Sequence, residues 1–204
     1  MKFLRHVFVM AALALYILIP RIEAVKADGP TQELINSICI ESEDYELCNK
    51  IIHKNLKAPA TNLKDLTYII FSIAIEHASD TYIFIGNILR ELTDHEERVG
   101  FNICLNVYSE ETAIFLDVRN EFRHKDYERM ILDISSTIEI LKNCRVDFGI
   151  PPYMENPLIE KNRVMKILIN MSTVSGRMVK NGNASLLSSL VSGLDSFFFQ
   201  YLTN

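Results

Sequence analysis

The chain has 204 residues, 49% of them hydrophobic and 23% charged, with a formal net charge of −5. That length suits one domain with a substantial buried core, and an acidic balance argues against nucleic acid or an anionic lipid surface as partner. Seven glycines and six prolines, in a sequence rich in Leu, Ile and Glu, point to long helices and an all-α fold.

In the opening stretch, "MKFLRHVFVMAALALYILIP", Lys2 and Arg5 precede an apolar run from Val7 to Ile19 that Pro20 closes. This is the layout of a secretory signal peptide, with a small-residue cleavage point at Ala27 and a second choice at Ala24. The run is shorter than the roughly 20 residues that span a bilayer, so cleavage is expected rather than retention as an anchor. Loss of residues 1–27 removes Lys2, Arg5, Arg21, Lys26 and Glu23 and leaves 17 basic and 25 acidic side chains, a net −8. Such a charge suits a basic protein partner. Four cysteines remain, Cys39, Cys48, Cys104 and Cys144. An even number in an exported chain reads as two disulfides with three pairings open, and the lack of any C-x-x-C excludes zinc-ribbon and thioredoxin spacings.

Residues 28–62 read as a helical hairpin, with short helices over Glu33–Ile40 and Asp44–Leu56 around "ESED". A Cys39–Cys48 bridge would tie them together, and they need it, because nucleating short helices is costly. Pro59 breaks the chain, and Thr61 or Asn62 can cap a helix expected from Leu63 to Leu92. Its stripe is Phe71, Ile75, Ala78, Tyr82, Ile85, Leu89 and Leu92, widened by Leu66, Ile70 and Ile73. Thr93 or Asp94 caps the next helix, which runs to about Arg123 and faces inward through Phe101, Cys104, Tyr108, Phe115, Val118 and Phe122. A third helix starts near Asp126, with Tyr127, Met130, Ile134, Thr137, Leu141, Cys144 and Phe148 on one face. Cys104 and Cys144 thus fall on inward stripes of neighbouring helices, which favours pairing them. "FGIPPYMENP" reads as a loop, and a fourth helix from Leu158 to Lys180 turns Val164, Ile167, Met171, Val174 and Met178 inward. Four amphipathic helices joined by short loops give an antiparallel four-helix bundle over residues 63–181. Gly182 is expected to end the last helix, leaving residues 182–204 as an extension of unassigned role.

Catalytic and metal motifs are sought and not found. Glu121 and His124 match the Glu-x-x-His pair of di-iron bundles once, where two are required, and they sit in a charged helix end that reads as solvated surface. His53, His77 and His95 are isolated. No phosphate loop, dinucleotide fingerprint or nucleophile elbow occurs, so no cofactor is expected. Two sequons begin at Asn170 and Asn183, the second the better acceptor if it lies beyond the helix end.

On "SICIESEDYELCNKI", "CLNVYSEETAIFL" with Cys104 and Tyr108, and "TIEILKNCRVDFG" with Cys144 and Phe148, the chain resembles the plant invertase inhibitor and pectin methylesterase inhibitor family over about residues 32–180. "FRHKDYERMILDISSTIEILKNC" is most similar to the invertase-inhibitor branch that includes pollen allergens. The resemblance implies disulfides Cys39–Cys48 and Cys104–Cys144, no catalysis, and a target that is pectin methylesterase or a cell-wall or vacuolar invertase. Some relatives dock on invertase through Pro-Lys-Phe at a helix start; Lys125, Asp126 and Tyr127 stand there in this chain and become the candidate contact. The expected protein is a secreted, apoplastic or vacuolar monomer that occludes an enzyme's cleft, with a small-ligand-binding or storage-type helical protein as the rival reading.

Overall fold

The computed structural model describes the backbone of residues 25–144 and 156–202, with side chains for 25–144 and 156–182. It contains α1 (Gly29–Cys39), α2 (Tyr45–Asn55), α3 (Leu63–Glu91), α4 (His95–His124), α5 (Tyr127–Leu141) and α6 (Ile159–Leu202), and no strand among the described residues. The starts of the first five follow from their caps. Asp28, Asp44, Asn62, Asp94 and Asp126 each accept a hydrogen bond from the backbone N–H three residues on, worth about 1 kcal/mol apiece.

The last four helices form a ring in which α3 packs on α4, α4 on α5, α5 on α6 and α6 back on α3. Short connections make the successive α3, α4 and α5 antiparallel. Phe71, Phe101, Tyr108, Phe115, Met130 and Ile134 are among the largest buried side chains of this core. At Gly176 a Cβ would sit 3.0 Å from Met130 Cε and 3.2 Å from Ile131 Cδ1, so the absent side chain lets α6 approach α5 closely.

The α1–α2 hairpin buries Ile35, Ile38, Ile52 and Leu56 and contacts α3 and α6. Its bridge is Cys39–Cys48, with Cα atoms 5.6 Å apart, and Cys104–Cys144 joins α4 to the end of α5. Closing a loop of that second size is worth about 4 kcal/mol on the chain-entropy estimate. Arg163 on α6 reaches back to Asp44 at 2.9 Å, and Lys166 pairs with Glu43. Thr31 Oγ1 accepts from Thr61 N at 2.9 Å and ties the hairpin to the segment entering α3.

The structure differs from the sequence expectations at several places. Tyr82 is 41% exposed, while Thr81 is fully buried in its stead; the Thr81 hydroxyl donates to the His77 carbonyl at 2.7 Å, which allows a polar residue inside. Helix α5 stops at Leu141, so Cys144 lies on a turn beyond it, held by Asn162 Nδ2 donating to the Cys144 carbonyl at 3.1 Å. Helix α6 does not end at Gly182 but continues to Leu202. No glycine described takes positive φ, and a helical Gly costs only about 1 kcal/mol, which following Ala184, Leu186 and Leu187 suit as good helix formers. Val164 and Met178 are only half-buried, whereas Met165, Leu168, Ser172 and Ser175 are inside, so α6 is enclosed around more of its circumference than one stripe. Phe148, most of the "FGIPPYMENP" segment and the signal segment through Ala24 lie outside the described residues.

Candidate functional site

Helix α4 ends in two nested backbone hydrogen bonds. Lys125 N–H donates to the Phe122 carbonyl at 3.1 Å and Asp126 N–H to the Glu121 carbonyl at 3.0 Å. This closure needs a left-handed residue at Lys125, usually glycine, and Lys125 supplies it at φ 64°. Asp126 then caps α5 at once, its Oδ1 accepting from Arg129 N at 3.2 Å. The result is a two-residue turn that projects the exposed Lys125 and Asp126.

Tyr127, the third candidate contact, is 8% exposed. Its ring lies edge-on to Phe122 with centroids 6.1 Å apart, and Phe122 packs on Phe71 at 5.6 Å. The structure therefore separates the triplet. Lys125 and Asp126 face solvent, and Tyr127 anchors the turn to the core.

Behind the turn, Glu121 is 16% exposed by side chain and 3.6 Å from the Arg129 guanidinium. Burial first, then the carboxyl of Asp133, raise the Glu121 pKa to about 7. Glu121 is thus half-buried, correcting its expected place on solvated surface, and it stays protonated in mildly acidic solution. His124 is exposed and turns Nδ1 to the Asn120 carbonyl at 2.9 Å. The two do not converge, and no group of three His, Cys, Asp or Glu side chains among the described residues could hold a metal ion. His77 is held by the Lys161 carbonyl at 2.9 Å, with its pKa lowered chiefly by burial.

One acidic residue escaped the sequence reading. Glu111 on α4 is fully buried, and neither carboxylate oxygen has a hydrogen-bond partner among the described residues. Burial raises its pKa to about 8, assisted by Glu110. The signal was present: the inward positions Tyr108 and Phe115 are seven apart, and Glu111 fills the gap at helical spacing.

Of the two sequons, Asn170 lies within α6, half-buried, and Ser172 is fully buried. Asn183 also lies within α6 rather than beyond its end.

The fold is thus a helical bundle stapled by two disulfides, with an ordered two-residue turn between α4 and α5. Residues 33–181 match the family described as plant invertase/pectin methylesterase inhibitor. The chain belongs to that family, and so to inhibitors of pectin methylesterase or invertase rather than to catalysts. Similar proteins include two named "Putative invertase inhibitor". That from Platanus acerifolia is 24% identical over 120 residues, 59% of this chain and 67% of the relative. That from Platanus orientalis is 23% identical over 120 residues, 59% of this chain and 71% of the relative. Among solved structures, a pectin methylesterase inhibitor from Arabidopsis thaliana superposes with a TM-score of 0.53 at 15% identity, over 72% of this chain and 95% of that one. A mutant form of an Arabidopsis inhibitor gives 0.62 at 15% identity, over 71% and 95%. At that identity the likeness carries the fold.

Proposed function

We propose that the protein is a secreted, monomeric inhibitor of an acid invertase in the apoplast or vacuole, and that it acts by seating the α4–α5 turn in the enzyme's substrate cleft. The two Platanus relatives favour invertase as the target. The observation that carries the mode of action is the turn itself: Lys125 held left-handed and Asp126 committed as a cap, both exposed, with Tyr127 fixed beneath them. A pre-ordered contact loses little conformational entropy on docking. Pectin methylesterase is the second reading, favoured by the structural neighbours.

The test mixes the purified protein with each enzyme at mildly acidic pH. Invertase should be slowed at micromolar protein, and Lys125→Ala combined with Asp126→Ala should weaken inhibition at least tenfold, as loss of a central contact does. Failure to slow either enzyme refutes the reading. Slowing of pectin methylesterase alone transfers the proposal to the second target.

A further inference from the structure

Helices α5 and α6 part along their outer face to leave a groove of about 310 Å³. Ile134 and Ile138 from α5 and Ile167 from α6 form its apolar wall, and Lys166, Asn170 and Arg177 from α6 its polar one. Two groups in it stand without partners. The side-chain oxygen of Asn170 is buried and accepts no hydrogen bond among the described residues. A buried acceptor without a donor costs about 1–3 kcal/mol, so rotation of the Asn170 amide to meet a donor group bound in the groove would be favoured. Arg177 is exposed and forms no hydrogen bond or ion pair among the described residues, whereas neighbouring Lys166, Arg163 and Lys180 all pair with carboxylates. At about 310 Å³ the groove lies at the lower end of the size range of small-molecule sites, about 300–1,000 Å³.

We infer that this groove is a binding site for a small amphipathic carboxylate: an aromatic or aliphatic body against the three isoleucines, a carboxylate on Arg177, and a hydroxyl donating to Asn170. An apolar cleft with a few convergent polar groups is the usual build of a small-molecule site. The charge selects among occupants. Arg offers a planar, permanently charged fork that matches a carboxylate, and the only acid on the groove among the described residues, Glu43, is engaged by Lys166. The sequon gives the site an exclusive alternative, because a glycan on Asn170 would occupy the same space.

The probe is 3-(4-hydroxyphenyl)propanoate, with the corresponding neutral alcohol as control, titrated into the full oxidised protein while the isoleucine methyl signals are followed by NMR. Saturable shifts at Ile134, Ile138 and Ile167 at millimolar probe are expected, with the alcohol about tenfold weaker. Arg177→Gln should bring the carboxylate down to the affinity of the alcohol, and Asn170→Asp, which places a negative charge in the groove, should weaken it further. Asn170 lies about 15 Å along α6 from Lys180, whose partner Glu128 adjoins the α4–α5 turn, so enzyme inhibition by Asn170→Asp should match the unaltered protein, which separates this site from the docking proposal. The inference is overturned by an absence of shifts, by shifts scattered outside the groove, by equal binding of acid and alcohol, by full affinity in Arg177→Gln, or by a glycan found on Asn170 by mass spectrometry.

Discussion

Glu111 offers the sharpest test of the core. Its carboxyl has no exposed surface and no partner among the described residues, and its pKa stands at about 8 against an ordinary 4.5. Between those values the folded protein keeps the proton and the unfolded chain releases it. Rising pH therefore favours unfolding across that window and has no further effect through this group above about pH 8. Each pH unit inside the window is worth 1.36 kcal/mol, so between pH 5 and pH 7.5 Glu111 alone removes about 3 kcal/mol of stability. For a domain this size that is about 6–12 °C in Tm. Glu111→Gln keeps the shape and abolishes the titration. Urea unfolding with disulfides intact, followed by circular dichroism, should show the variant gaining about 3 kcal/mol on the unaltered protein as pH rises from 5 to 7.5. Other titrating groups cancel in that difference. A gap between the two proteins that stays constant with pH would refute the argument, because it would mean that Glu111 is hydrated or paired in solution.

Two further outcomes follow from other parts of the molecule. Lys125→Gly should stabilise the fold by about 0.5–1 kcal/mol, since glycine takes the left-handed position without a Cβ clash, and an unchanged or lower urea midpoint would count against the turn geometry. Val25 and Ala27 pack against the core, so cleavage at Ala24, which preserves them, is expected over cleavage at Ala27; a secreted product whose mass corresponds to a start at Asp28 would contradict this.

The periodic parts of the fold were legible in the sequence and the singular parts were not. From Tyr127 through Leu141 the spacing of threes and fours placed all five anchoring residues inside, because helical geometry alone fixes which side chains share a face. The same rule misplaced Tyr82, since it weighs apolar character and does not see that a threonine next to it can satisfy its hydroxyl on the preceding turn. It passed over Glu111 because an acid was not sought among core positions. The left-handed Lys125 leaves no trace in the sequence: lysine has no preference for that conformation, and only the two backbone hydrogen bonds across the turn reveal it. The groove was equally hidden, because it depends on how far two helices stand apart rather than on what either one carries. The contact residues Lys125 and Asp126 were reached through family likeness, and packing alone shows why Tyr127 differs from them.

The order of the four cysteines along the chain has a consequence for biosynthesis. Each bridge joins consecutive cysteines, Cys39 to Cys48 and Cys104 to Cys144. A polypeptide emerging from its amino end presents the first pair alone, long before a third thiol exists to compete. The second pair then meets with its only rivals already oxidised. In an oxidising compartment, oxidation in order of emergence would therefore lead directly to the native connectivity rather than to either of the other two arrangements.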